Sequence, residues 1–447
     1  CELAVEPAPE LSDRERAFLE DVLAHCRHPA AARRKTAPES VVGAYRDFAH
    51  AYLKVLPGML AAALRRRKDV SGRQFRHATL IGAYGSEHIG DIAGLGGVLL
   101  RLQQQFGVHE ACLFSHRPAY TRRLVAHLDT PVTLEVLPWQ PVDVQRKLKA
   151  TGLLVRAGGQ LMDLPPAMLR QLGAIYTARR RGRPVLLEGV DIGPFRYTPS
   201  RWVARRMAQA ANRITLRTCG AAQDPVLEQL DISTGQDPAF DYLATRGKLG
   251  RLSERARKCV DALLENTEDR IIVGINMRPL RHFSGSPDEP YSRTMEERIL
   301  QHLAVAMTDY ARLAPAPVTY IFFPVNLLQA GCSDLAAAWR LHRMLHRGLD
   351  LRIWEADPDI DAVLYLLRNL DMALAMRFHA CIFAMSQGLP TIGIDYDIGA
   401  GGKVLQLFRD RERVEDVRRL NEADIHFMVE RLLKNQPGGN NQPDMYP

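Results

Sequence analysis

The stretch MRFHACIFAMSQGLPTIGIDYD, Met376 to Asp397, decides the fold. Before it, Asp371 to Ala375 reads as a buried apolar strand, and within it an apolar helix should follow, stopped by Gly388-Leu389-Pro390. Thr391 to Ile394 then reads as a second buried strand, ending in the acidic pair Asp395 and Asp397. Continuous apolar runs separated by helical pattern predict parallel strands covered on both faces. Arg377 and His379 fall at the strand-to-helix turn, at the carboxyl edge of such a sheet, where open α/β folds bind ligands. Two successive strand ends thus place Arg, His and Asp side chains at one edge.

Working outward, the same alternation runs through most of the chain. Strands are expected at Ala78–Ala83, Ala111–Phe114, Val132–Leu137, Gly152–Val155, Pro184–Leu187 and Arg213–Leu216. Helical patterns fill the gaps, such as Ile92–Phe106 and Met168–Arg180. After Gln236-Asp237-Pro238 and a charged helix over Leu252–Asn266, a second series follows at Ile271–Asn276, Val318–Phe323, Leu351–Trp354, Met372–Ala375 and Thr391–Ile394. The reading is α/β, with two Rossmann-like doubly wound domains facing a cleft in a GT-B-like architecture. The expected divisions are a helical extension over 1–75, an N-terminal domain over 76–240, a C-terminal domain over 241–435 and a flexible tail over 436–447. Ser12-Asp13-Arg14-Glu15 looks like a capping box for the extension, and Pro57 should kink its second helix.

Composition bounds the function. The 447 residues exceed one core, and 46% hydrophobic content belongs to a folded globular protein. A formal net charge of +8 comes from basic runs at Arg33-Arg34-Lys35, Arg65–Lys68, Arg179–Arg183 and Arg201 with Arg205 and Arg206. Trp202 is the one aromatic residue among these runs, too few for a row of stacking platforms, which argues against nucleic acid. Solvated helix faces account for them most simply, while attraction to anionic substrates or peripheral membrane association is the sharper reading. Seven cysteines show no zinc spacing, and Cys112, Cys259 and Cys381 in apolar contexts read as reduced core residues of a cytoplasmic protein. The chain begins Cys1-Glu2-Leu3 with neither a methionine nor a basic-then-apolar signal segment, so it reads as trimmed, with a targeting segment before residue 1 left open. The apolar run Leu370–Ile394 is too interrupted by charge to span a membrane.

The first domain opens with IGAYGSEHIGDIAGLGGVLL, Ile81 to Leu100, in which a strand should end at Tyr84 and Asp91 should cap the helix from Ile92. Its glycines fall outside the dinucleotide fingerprint. Together with the C-terminal stretch, it resembles the polysaccharide pyruvyl transferase family. The family's G-x-x-N-x-G-D is matched around Glu87-His88-Ile89-Gly90-Asp91, with His88 in the Asn position. Further matches are Gly158 to Asp163, Gly189 to Pro194, Asp237-Pro238-Ala239-Phe240, Asn276-Met277-Arg278-Pro279, and Arg377 to Asp397. The similarity covers about 78 to 408. It departs after Arg217, where Thr218-Cys219-Gly220 replaces the family's acidic neighbour, and after Asp397, where Ile398 to Gly402 delays Lys403. The glycines of that insertion could instead cradle phosphate.

The resemblance implies transfer of pyruvate from phosphoenolpyruvate onto a sugar as a ketal, with no metal and no cofactor beyond that co-substrate. His379, Arg377 and Asp91 would be catalytic, while Arg278, Arg217, Lys403 and Asn276 would bind the donor. Gly85, His88, Asp163 and Asp395 would meet the acceptor, a glycan or lipid-linked saccharide reached at the inner face of the membrane. Arginine gives planar paired donors to carboxylate and phosphate, and histidine moves protons near neutrality. The donor side falls on the second domain and the acceptor side on the first, so catalysis is expected to need cleft closure. Three plainer readings stand beside these. Asp91 suits an N-cap, Arg377 could ion-pair with Asp371 or Asp395, and Asp237 could be a turn residue. Two other functions fit the same pattern: a nucleotide-sugar glycosyltransferase, with Asp395-Tyr396-Asp397 as an acidic metal motif, and a non-catalytic glycan-binding module.

Overall fold

The computed structural model describes residues 70–437 apart from 162–164, 194, 196–197, 247–251, 281–288, 328–332, 346–347 and 397–401. The helical extension expected before residue 70 and most of the C-terminal tail lie outside these residues. Two compact units divide the described chain: one of residues 70–87 and 91–242, the other of 88–90 and 243–437.

The first unit is built on an all-parallel sheet. Its strands are β1 (His77–Ile81), β2 (Glu110–Ser115), β3 (Thr133–Pro138), β4 (Leu153–Ala157), β5 (Gln160–Leu161), β6 (Val185–Ile192), β7 (Arg213–Leu216) and β8 (Ser233–Thr234). They lie in the order β3-β2-β1-β4-β6-β7-β8, with β5 beside β6. Alternate side chains enter two separate cores. Leu80, Leu113, Leu153, Val155 and Leu186 pack with Leu95, Val98, Leu99 and Leu102 of α1 (Ile89–Phe106). Ile81, Phe114, Leu154 and Leu187 pack on the other face. There they meet α3 (Pro141–Ala150), α4 (Pro165–Arg180) and α5 (Thr198–Ala210), α2 (Pro118–Val125) having intervened in sequence. The period of two puts successive residues on opposite faces, so both faces must be apolar and covered. Each fully buried Leu or Phe contributes about 1.5–3 kcal/mol.

The second unit repeats the plan, after α6 (Pro238–Thr245) and α7 (Glu254–Leu263). Strands β9 (Ile271–Asn276), β10 (Val318–Phe322), β11 (Asp350–Ile353), β12 (Met372–Ala375), β13 (Thr391–Asp395) and β14 (Val417–Arg419) run parallel in the order β11-β10-β9-β12-β13-β14. Counted within the unit this is 3-2-1-4-5-6, the doubly wound order, and its switch point lies between β9 and β12. Helices α8 (Glu289–Leu313), α9 (Leu335–Met344), α10 (Ile360–Leu367), α11 (Phe378–Ser386), α12 (Lys403–Arg409) and α13 (Ile425–Lys434) complete it.

The structure moves several expected boundaries. Strand β1 stops at Ile81, so Tyr84 lies in the following turn, and β6 continues to Ile192 instead of ending at Leu187. Helix α1 begins at Ile89, which puts Asp91 inside its first turn and not at the cap. An acidic residue there still favours the positive helix end. Asp371 precedes β12, where its carboxylate accepts the Ile272 amide at 2.7 Å. Cys112 and Cys381 are buried thiols, whereas Cys259 is only partly buried. Among the described residues no helix is long and apolar enough to cross a membrane.

Candidate functional site

In the second unit, the predicted residues gather at the carboxyl ends of β9, β12 and β13, adjacent strands about 4.8 Å apart. Strand β9 ends at Asn276, which is fully buried. Its side-chain amide donates to Phe323 O at 2.9 Å and to Asp334 Oδ2 at 3.4 Å. Its side-chain oxygen accepts the Arg377 amide at 3.2 Å, and its main-chain oxygen accepts the Met376 amide at 2.8 Å. Asn276 therefore joins β9 to the end of β12.

Arg377 occupies the N-cap position of α11 and is buried. Its Nε donates to Asp334 Oδ1, so the expected pairing with Asp371 or Asp395 gives way to one with Asp334. Asp334 has no exposed surface and also accepts the amides of Val325 at 3.0 Å and Asn326 at 3.1 Å. This residue escaped the sequence reading. Its one signal was an acidic residue immediately before the apolar helical run Leu335-Ala336-Ala337-Ala338, a pattern that usually means only a cap.

His379 is buried in the first turn of α11. The His88 ring stands edge-on to it, with centroids 5.1 Å apart. Gly90 packs so closely on His379 that an added Cβ would lie 2.2 Å from the histidine Cβ. The family glycine is thus a matter of contact distance.

Arg278 follows β9 and holds its guanidinium 4.5 Å from the centroid of the Tyr396 ring. Lys403, the first residue of α12, sets its ammonium 5.4 Å from the same centroid. Tyr396 itself is buried at the end of β13. One aromatic ring therefore holds two cations at one edge of the sheet, a contact worth about 0.5–2 kcal/mol per cation. The loop carrying Arg278 is fixed from behind, since the Leu280 amide donates to buried Glu296 at 3.0 Å and Glu296 pairs with Arg340. Asp395 is buried against the backbone of Gly402, where a Cβ would come within 1.6 Å of Oδ2. That packing takes Asp395 into the β13–α12 junction. Asp397 and Gly399 to Gly401 lie outside the described residues.

The first unit carries its own buried polar cluster. Arg217 donates from Nε to Asp191 Oδ2 at 2.5 Å and from Nη1 to Asp237 Oδ2 at 3.2 Å. Thr218 Oγ1 adds a bond to Asp191 Oδ1 at 2.9 Å, and Asp237 Oδ1 caps the Ala239 amide at 2.8 Å. Burial opposes the Arg217 charge, but Asp191 and Asp237 outweigh it and hold the guanidinium protonated. Burial pushes the Asp237 carboxyl up, against the pull of Arg217. Arg217 belongs to the first unit, where it is fixed between two carboxylates. Asp237 is an ion-pair partner as well as a turn residue.

Beside this pair, Arg156 is fully buried on β4 and holds the Gly159 and Gln160 carbonyls at 2.7 and 3.1 Å. Burial lowers its pKa to about 10. Tyr84 donates to Ala157 O at 3.1 Å, and burial, then the Asp91 charge, push its hydroxyl upward. Gly85 adopts a left-handed φ of 109° and is bonded to the buried Glu87 carboxylate. Asp163 lies outside the described residues.

With this geometry, the chain can be compared with known proteins. The family model described as polysaccharide pyruvyl transferase matches residues 88–398. The chain belongs to that family. No curated protein matches the chain in sequence. Among solved structures, similarity extends to UDP-GlcNAc 2-epimerase from Methanocaldococcus jannaschii, at 11% identity and a TM-score of 0.54, covering 80% of this chain and 91% of that one. The same enzyme from Neisseria meningitidis, bound to UDP-GlcNAc, gives 12% identity and a TM-score of 0.52, covering 80% and 90%. At such identities the likeness shows the fold alone, and the fold is GT-B-like. Family membership makes the chain a transferase of polysaccharide synthesis.

Proposed function

We propose that this member of the family moves a pyruvyl group from phosphoenolpyruvate onto two hydroxyls of one sugar, forming a ketal and releasing phosphate. The observation that carries the reading is the pair of cations, Arg278 and Lys403, held against Tyr396 one strand from Arg377 and His379. A small molecule with a carboxylate and a phosphate needs several cations within a few ångströms, and arginine suits both groups.

In this reading a proton adds to the methylene carbon of the enol, leaving a cationic centre at the carbon that bears phosphate. One sugar hydroxyl adds there and loses its proton, and the C–O bond to phosphate breaks. The second hydroxyl then closes the ketal. Two protons leave the hydroxyls, one ends on the new methyl group and one on phosphate, so the step balances without a redox partner. His379 is the group proposed to move protons, and Arg278, Lys403 and Arg377 the groups that hold the anion. Asp91 and Gly85 are assigned to the acceptor, a glycan or lipid-linked saccharide. No cofactor or metal enters this scheme.

The test is phosphate release from phosphoenolpyruvate that depends on added acceptor glycan. Calorimetry with phosphoenolpyruvate divides the labour. Arg377→Ala should weaken donor binding by about 2 kcal/mol or more, roughly thirtyfold, because it removes a charged contact. Asp91→Asn should leave donor affinity nearly intact and lower turnover. Stabilisation by a nucleoside diphosphate but not by phosphoenolpyruvate would favour a nucleotide-sugar transferase instead. Glycan binding without turnover, surviving both Arg377→Ala and His379→Ala, would favour a binding module.

A further inference from the structure

Beyond Gly85, the carboxyl edge of the first sheet carries aromatic and basic side chains that the reaction scheme leaves unused. His116 follows β2 and Trp139 follows β3, strands paired in register up to Ser115 and Pro138. The ladder continues past both ends: the His116 amide donates to Tyr84 O at 2.9 Å and the Trp139 amide to Ser115 O at 2.8 Å. These bonds bring the two rings into a stack, with centroids 5.5 Å apart and planes inclined by 26°. Trp139 is braced from behind by the edge of Phe114 at 5.9 Å, so the stack stands on the buried core. His116 is exposed.

The stack is also tied to the family glycine. Gly85 lies so close to the next segment that a Cβ would sit 2.7 Å from the Arg117 nitrogen and 3.0 Å from the His116 Cβ. Arg117 returns a bond from Nη1 to Gly85 O at 2.7 Å. Arg117 and exposed Arg170 place positive charge around the imidazole. Partial burial of the ring, then the charges of Arg170 and Arg117, lower its pKa.

A flat, rigid ring at a sheet edge suits the apolar C–H face of a pyranose, and the flanking guanidiniums suit a carboxylate on it. We propose that His116, Trp139, Arg117 and Arg170 form a subsite for an acidic sugar unit of the acceptor, stacked on the His116–Trp139 pair. The proposal rests on the pyruvyl-transfer reading for its acceptor, but the contact itself needs no donor.

The experiment therefore omits phosphoenolpyruvate. The full chain is mixed with an alternating glucuronate–N-acetylglucosamine tetrasaccharide, and separately with its carboxyl-reduced form. Saturation transfer to the sugar C–H protons is followed by NMR, with the His116 ring titrated in parallel. The acidic sugar should receive saturation and raise the His116 titration midpoint, and the reduced sugar should receive saturation with little change of midpoint. His116→Ala, which disturbs no core contact, and Trp139→Leu should each weaken both interactions roughly tenfold, the scale of one aromatic contact. Arg170→Gln should weaken the acidic sugar alone. No transfer from the parent protein, or equal transfer in His116→Ala, overturns the subsite. Stacking without phosphate release under any acceptor would sink the transferase reading and leave the subsite standing. Phosphate release with unchanged acceptor dependence in His116→Ala would do the reverse.

Discussion

Asp334 offers the sharpest test of how the joined ends of β9 and β12 are held. Replacing it by Asn keeps the volume and an oxygen for the Val325 and Asn326 amides, but leaves the buried Arg377 guanidinium without its carboxylate. Removing one member of a buried ion pair costs about 3–5 kcal/mol, far above the ±0.5 kcal/mol of an ordinary surface change. With a urea slope of roughly 2–3 kcal/mol per molar, the unfolding midpoint of the second domain should fall by about 1–2 M. Two domains do not guarantee a single transition, so hydrogen exchange at the amides of β9 and β12 should report the loss locally. Adding Arg377→Met to Asp334→Asn removes the guanidinium charge that Asp334 offset and should recover at least half of the deficit. A loss no larger than that of a surface substitution, or no recovery in the double variant, would refute the assignment of Asp334 as the residue that fixes Arg377.

Three further outcomes follow from contacts already described. Tyr396→Leu should weaken phosphoenolpyruvate binding by about 0.5–2 kcal/mol in calorimetry, whereas Tyr396→Phe, which keeps the ring for Arg278 and Lys403, should change it little. Gly90→Ala should cost about 1–3 kcal/mol in a denaturation assay and displace His379, seen as a changed imidazole NMR signal, because its Cβ has no room. Glu87 gives a pH test: burial raises its carboxyl pKa above the ordinary 4.5, so the native chain holds that proton more tightly than the unfolded one. Its stabilising contribution is full below pH 4.5 and fades as pH rises through the raised value, so Glu87→Gln should gain on the parent across that window, and a constant difference would count against it.

The legible part of the fold is the part governed by one period. Strands buried on both faces read as apolar runs, so β7, β9 and β12 came within a residue of their observed ends, and the doubly wound order followed from the alternation. Where turns decide, the reading slipped. Tyr84 looks like the last residue of a strand, yet its hydroxyl reaches across to Ala157 O, a contact no local pattern encodes. Two-residue strands such as β5 and β8 are too short to carry a period at all.

The site divides along the same line, for a reason that bears on its chemistry. Arg377, His379 and Arg278 could be placed at strand ends because each follows its strand in a motif of fixed spacing, whereas Lys403 comes after an insertion that stretches its motif. Their partners were not legible, because Asp334 and Tyr396 act through space. Asp334 reaches Arg377 across 43 positions, and Tyr396 serves Arg278 from the end of another strand. A cation is costly to bury alone, so each needs a supporting group, and that group can come from any neighbouring strand end. Arg217 shows the opposite outcome of the same rule. With its adjacent acidic residue replaced by Thr218, it takes Asp191 and Asp237 from two other segments and stays fully paired. A motif arginine whose buried contacts are two carboxylates has its charge offset within its own domain, whereas the contact of Arg278 with an aromatic ring does not itself neutralise the guanidinium.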